Sequence, residues 1–129
     1  MRIDKIGLAL AFSPRMEALM AEVSRLLKIY SAQLVLVHVG PENEDAKNKV
    51  SNLLSVCGVA PSQVKILWKE GDPADCILNA CKDEQIDLLV AGALRKENFI
   101  QYYLGSFGRI ILRLAVCSVL MLVDPSVEN

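Results

Sequence analysis

Histidine is almost missing from this chain: His38 is the only one in 129 residues. A multi-histidine metal centre or a histidine-rich phosphate loop therefore lacks its residues. The four cysteines, Cys57, Cys76, Cys81 and Cys117, contain no Cys-x-x-Cys pair, so a zinc cage has poor spacing and the thiols are expected to be buried and reduced, as small hydrophobes. Aromatics make up only 5% of the chain beside 53% hydrophobic residues. The core is then built from Leu, Val, Ile and Ala, the composition of a parallel sheet under helices rather than of an aromatic-rich sandwich. Charge of either sign is not in excess, with 14 basic and 15 acidic residues, which gives no field to attract nucleic acid or an anionic membrane. No apolar run reaches the roughly 18 to 20 residues of a membrane span. Met1 to Asp4 leads straight into a strand pattern without the apolar stretch of a signal peptide. The expectation is a cytoplasmic chain, or a soluble piece of something larger, with neither nucleic acid nor membrane as partner.

Catalytic signatures are also scarce. Ser13 and Ser106 lack a Gly-x-Ser-x-Gly elbow, and no lysine follows a glycine loop in the Walker manner. His38 lies inside an apolar strand with no nucleophile signalled beside it, and is read as a core histidine with its hydrogen bonds satisfied. The catalytic set is accordingly expected to be empty.

What is present is an alternation of strand and helix signals. Lys5 to Ala11 is a short apolar run ended by Ser13-Pro14, a helix start with Ser as cap and Pro in the first turn. Met16, Leu19, Met20, Val23, Leu26, Leu27 and Tyr30 then recur at steps of three and four, one apolar helix face. Leu34 to Val39 is a continuous apolar strand broken by Gly40-Pro41. An acid-rich segment, Glu42 to Asp45, suits the start of a second helix from about Glu44 to Cys57. Its stripe is Ala46, Val50, Leu53, Leu54 and Cys57, and Gly58 is its stop. Val64 to Trp68 alternates like a strand near an edge. Asp72 caps and Pro73 starts a third helix that buries Ala74, Ile77, Leu78 and Cys81. A fourth strand over Ile86 to Ala91, a fourth helix over Gly105 to Ala115 and a fifth strand over Cys117 to Val123 complete the series. Such alternation predicts right-handed crossovers and a doubly wound, five-stranded parallel sheet with four helices, an α/β fold in three layers. One domain over residues 1–129 is expected from length. Ligands of such sheets sit beyond the carboxyl ends of the strands, where strand order reverses.

The fourth strand ends at Gly92, and Gly105-Ser106 opens the following helix. Glycine lets backbone approach a ligand, and a Gly-Ser helix start aims N–H groups and a hydroxyl at an anion. A strand end and an ordinary helix cap also account for these residues. They do not account for the nine-residue stretch from Lys96 to Leu104, since such connections usually have about two to six residues. That stretch holds Phe99, Tyr102 and Tyr103, which either pack into the domain or meet a partner or ligand.

Ordered along nearly the whole chain, these fragments resemble a universal stress protein domain: Lys5-Ile6 with Phe12-Ser13, Leu36 to Val39, Glu70 to Ala74, Ile86 to Gly92, Leu104 to Ser106, and Cys117 to Val123. The resemblance implies the adenine nucleotide alpha hydrolase-like fold. It also implies a site for ATP or AMP, built on a glycine, two residues, a second glycine, nine residues, and a glycine followed by Ser or Thr. Gly92, Gly105 and Ser106 fit with the right spacing, and Arg95 occupies the second glycine position. An aspartate that anchors the nucleoside at the end of the first strand is Ala11 here, with Ser13 beyond it, and the backbone position facing adenine is Val39. Losing the carboxylate removes hydrogen bonds worth about 1.5 to 3 kcal/mol, roughly 10- to 150-fold in affinity. Arg95 either blocks close phosphate approach or, with Lys96, reaches phosphates bidentately.

The reading is a non-catalytic stress-response or regulatory domain whose adenine-nucleotide binding is weakened or lost. The alternatives are a competent ATP- or AMP-binding domain with slow ATPase or transferase activity, or an interaction module fused to a transporter or signalling protein. Ser118 to Val123 is uninterrupted by charge, unusual for a last strand. With the habit of the family it resembles, this implies a two-fold homodimer through that strand.

Overall fold

The structure, a computed structural model, describes residues 2–10, 16–93 and 117–123. Five strands form one parallel sheet: β1 (Lys5–Leu10), β2 (Gln33–Val39), β3 (Val64–Lys69), β4 (Leu88–Ala93) and β5 (Ser118–Val123), in the order β3-β2-β1-β4-β5. Between them run three α-helices, α1 (Met16–Tyr30), α2 (Glu44–Val56) and α3 (Pro73–Asp83), with a 3-10 turn at Pro61–Gln63. The expected fourth helix lies outside the described residues.

Chain direction decides which helix covers which face. The steps β1-α1-β2 and β2-α2-β3 move outward the same way, so right-handed crossovers place α1 and α2 on one side. The chain then returns past β2 and β1 to β4, which puts α3 on the other side. The pleat supplies a face to each layer. Ile6, Leu8, Leu10, Leu34, Leu36 and Val90 pack with Met16, Met20 and Val23 of α1 and Val50 and Leu54 of α2. Val35, Val37 and Leu89 pack with Ala74, Ile77, Ala80 and Cys81 of α3. A central strand buried on both faces must be apolar throughout, which is why β1 and β2 read as unbroken hydrophobic runs.

The starts of α2 and α3 follow the sequence closely, whereas the expected Ser13-Pro14 start of α1 lies outside the described residues. The Asn43 side chain accepts the Ala46 N–H at 2.8 Å, and the Asp72 carboxylate accepts the Asp75 N–H at 3.1 Å ahead of Pro73. Ser24, buried on α1, donates its hydroxyl to the Cys57 carbonyl at 3.0 Å and ties the two helices of that layer together. Two expectations about burial are corrected. Tyr30, placed on the apolar face of α1, is 42% exposed, because the helix ends there and turns toward β2. In α3 the buried position is Ala80, while Leu78 is only half-buried. The fourth strand starts at Leu88 rather than Ile86. Ile86 instead closes α3, its N–H donating to the Cys81 carbonyl at 3.0 Å.

Candidate functional site

β1 is the first strand laid down and ends in the middle of the sheet, with β2 on one side and β4 on the other. This is the switch point, where crossovers leave in opposite directions, and sheets of this kind bind ligands beyond the carboxyl ends of the strands there. The ladders show how it opens. β1 pairs with β2 from Lys5↔Gln33 to Leu10↔His38, and β4 pairs with β5 from Leu88↔Ser118 to Ala93↔Val123. The β1–β4 ladder is shorter, Ile6↔Leu88 to Leu8↔Val90. The carboxyl ends of β1 and β4 thus follow their outer neighbours beyond the point where they pair with each other.

Two residues expected at the site fall on this rim. Val39 is half-buried at the end of β2, in register with Lys69, and the next N–H, that of Gly40, donates to the Lys69 carbonyl at 2.9 Å. Gly92 lies near the end of β4, in register with Leu122. Strand order therefore brings Val39 and Gly92 to the same end of the sheet, on either side of β1. Ala11, Ser13, Arg95, Gly105 and Ser106 lie outside the described residues, as do Phe99, Tyr102 and Tyr103.

His38 occupies the same rim on the α1/α2 side. Its Nδ1 lies 3.0 Å from the Leu10 carbonyl, which as an acceptor requires the proton on Nδ1. Its ring meets Trp68 edge-on, centroids 5.5 Å apart and planes at 83°. A Cβ on Gly40 would fall 2.7 Å from Nε2 of this imidazole, so the glycine after the strand also makes room for the ring. The histidine is held by backbone and tryptophan, in keeping with a structural role. The sequence offered Gly40 as a breaker only, and gave no sign of the His38–Trp68 contact because it depends on strand register.

The thiols are all reduced. Only Cys81 is fully buried, while Cys57, Cys76 and Cys117 are half-buried, so the expectation of four buried cysteines holds in full for one. Burial pushes the Cys81 thiol up to about 12 and raises Cys117 and Cys57 as well. Among the described residues no three His, Cys, Asp or Glu side chains are grouped to hold a metal ion, and no helix is long and apolar enough to cross a membrane.

The sequence model of one family, described as the universal stress protein family, matches residues 43–122. The chain belongs to the universal stress protein family. Its fold is shared by solved universal stress proteins of low identity. One, a complex with cAMP, superposes with a TM-score of 0.77 at 14% identity, over 95% of this chain and 98% of that one. One from Archaeoglobus fulgidus, in complex with dAMP, gives 0.69 at 18% identity over 94% and 98% of the two chains. One from Arabidopsis thaliana with AMP bound gives 0.65 at 19% identity over 94% and 91%. No curated protein sequence matches the chain. At these identities the likeness speaks for the fold.

Proposed function

We propose that this universal stress protein domain is a non-catalytic stress-response or regulatory module whose switch-point cleft has weakened or lost adenine-nucleotide binding. The observation that carries the reading is the pairing of a kept frame with altered contacts. Gly92 and Val39 flank the end of β1, and Gly105-Ser106 keeps its spacing from Gly92, while Arg95 and Ala11 replace a glycine and a carboxylate of the nucleotide pattern. The lone histidine is engaged with the Leu10 carbonyl and Trp68, which favours a structural role for it over transferase or ATPase chemistry.

Three relatives of the same fold carry cAMP, dAMP and AMP, and these favour a second reading in which adenine-nucleotide binding is retained. Calorimetric titration of the purified chain with ATP and AMP, after assaying any nucleotide it carries, separates the two. The expected result is weak or undetectable binding. The double variant Ala11→Asp, Arg95→Gly is expected to gain about 10- to 150-fold, the value of a restored charged hydrogen bond. Tight stoichiometric ATP binding by the unaltered chain overturns the proposal. No gain in the double variant means that the cleft serves another use, such as docking within a larger protein.

The rest of the reading is of the same standing: a single domain over residues 1–129, a cytoplasmic location, and a two-fold homodimer through β5. The edge position of β5 supports the last, since an open edge invites pairing. Sedimentation showing a monomer at micromolar concentration overturns it.

A further inference from the structure

At the end of the sheet opposite the cleft, the last turn of α3 meets the start of β5. Cys81 is 1% exposed on that turn, and its carbonyl accepts the Ile86 N–H. The next residue, Asp87, accepts the Ser118 N–H on its carbonyl at 3.3 Å. Cys117 immediately precedes Ser118. It packs against the cluster that contains Cys81, and the two thiols are neighbours there. The other cysteines point elsewhere, Cys57 to the Glu17 carbonyl at 3.7 Å and Cys76 to the Glu70 carbonyl at 3.4 Å. Of four thiols, one facing pair is brought together by elements far apart in sequence.

We propose that Cys81 and Cys117 form a redox-responsive dithiol that peroxide closes into an intramolecular disulfide, stapling α3 to the start of β5. Cys117, the more exposed of the two, is the entry point. Its sulfur attacks hydrogen peroxide, the O–O bond breaks, and the products are a sulfenic acid and one water. The Cys81 sulfur then attacks the sulfenic sulfur, the S–O bond breaks, the S–S bond forms and a second water leaves. Two thiols lose two electrons and two protons, and one peroxide becomes two waters.

The surroundings set a high threshold for this step. Burial holds both thiols in the protonated form, and the Asp87 carboxylate adds to the effect at Cys117, so the reactive thiolate is scarce at neutral pH. The pair is therefore reduced at rest and closes under sustained oxidant. The closed loop contains Arg95, Gly105 and Ser106. The staple limits the freedom of the unfolded chain.

The test treats the full chain with hydrogen peroxide, blocks remaining thiols with an alkylating agent, and maps non-reduced peptides by mass spectrometry. The expected product is a Cys81 peptide linked to a Cys117 peptide within one molecule, reversed by dithiothreitol, with Tm raised by roughly 5–10 °C. Cys81→Ser and Cys117→Ser each abolish the link and the Tm rise. Because the mapping uses the unaltered chain, the test does not depend on either variant folding. Recovery of Cys81 and Cys117 as separately alkylated thiols or separate sulfonic acids overturns the proposal. So does a link made first through Cys57 or Cys76 or between two molecules.

Discussion

Asp87 and Lys5 bind each other twice through the backbone edge of the sheet: the Asp87 N–H donates to the Lys5 carbonyl at 2.9 Å, and the Asp87 carboxylate accepts the Lys5 N–H at 3.0 Å. The same carboxylate oxygen accepts the Asp4 N–H at 2.8 Å. One half-buried side chain thereby satisfies two amides at the start of β1 and fixes where β4 begins beside it. Lys5 adds a third tie, its ammonium donating to the Glu84 carbonyl at the end of α3.

Removing this carboxylate is expected to loosen the central strand pair without touching the core. Asp87→Ala should cost about 2–3 kcal/mol, since hydrogen bonds to a charged group are lost and two amides are left to partial solvation. Asp87→Asn, which keeps an acceptor oxygen, should cost about half as much. Urea denaturation checks this: the midpoint should fall with the slope unchanged. Equal stability of the Ala variant and the unaltered protein would show that water replaces the carboxylate at no cost.

The helix ends carry a second expectation. Among the described residues, each of the three α-helices closes on a residue with positive φ: Ser31 at 51°, Gly58 at 70° and Gln85 at 55°. In each case the following N–H reaches back into the last turn, Ala32 to Leu27, Val59 to Leu54 and Ile86 to Cys81, the Schellman arrangement. Only Gly58 adopts this conformation without steric cost. Gln85→Gly is expected to stabilise the domain by up to about 1 kcal/mol, and Gly58→Ala to destabilise it by about 1 kcal/mol. Thermal unfolding of the two variants should move in opposite directions.

These caps also explain what the sequence could and could not disclose. Asp72-Pro73, Gly58 and the apolar runs of β1 and β2 act through neighbours in the chain, so the element order and the two-faced sheet were legible from local pattern. Ser31 and Gln85 are not residues that signal a left-handed stop, and Ile86 reads as strand because it is apolar. It is apolar to cover the end of α3 and the face of Gly7. At the site, the positions of Val39 and Gly92 were legible because a switch point follows from the crossovers. The grip of His38 on Leu10 and Trp68 was not, because it joins three strands through register alone. The meeting of Cys81 with Cys117 was hidden for the same reason.

Gly7 shows how closely the α3 layer is fitted. A Cβ there would lie 2.7 Å from Cδ1 and 3.1 Å from Cγ2 of Ile86. Gly7→Ala should cost about 1–3 kcal/mol by overpacking, although alanine suits a strand better than glycine. Adding Ile86→Val removes the nearest methyl, so the double variant should be more stable than the sum of the two single effects predicts. Strict additivity in a double-mutant cycle would mean that the backbone, rather than Ile86, absorbs the contact.

The rim histidine offers a simple test of its structural role. His38→Leu leaves the Leu10 carbonyl without the Nδ1 donor and removes the edge contact to Trp68. A loss of about 1–3 kcal/mol is expected. Tryptophan fluorescence should shift with it, since Trp68 is the only tryptophan in the chain. A stability change without a fluorescence change would separate the hydrogen bond from the ring contact.

The buried dithiol makes stability depend on alkaline pH. Cys81 is raised from an ordinary value of 9.0 to about 12, first by burial and then by Cys117. In the unfolded chain this thiol ionises near its ordinary value, whereas in the folded chain it stays protonated until much higher pH. Between the two values the folded state binds more protons than the unfolded state, so stability falls as pH rises, by up to about 1.4 kcal/mol per pH unit. Below that window the contribution is fully present. Urea midpoints measured under reducing conditions from neutrality upward should be flat with respect to this group and then decline on the alkaline side. Cys81→Ala, compared at each pH with the unaltered protein, should decline less steeply despite starting from a lower value because of its cavity. Parallel declines would locate the alkaline titration elsewhere, and would mean that the Cys81 thiol ionises in the folded chain as readily as in the unfolded one.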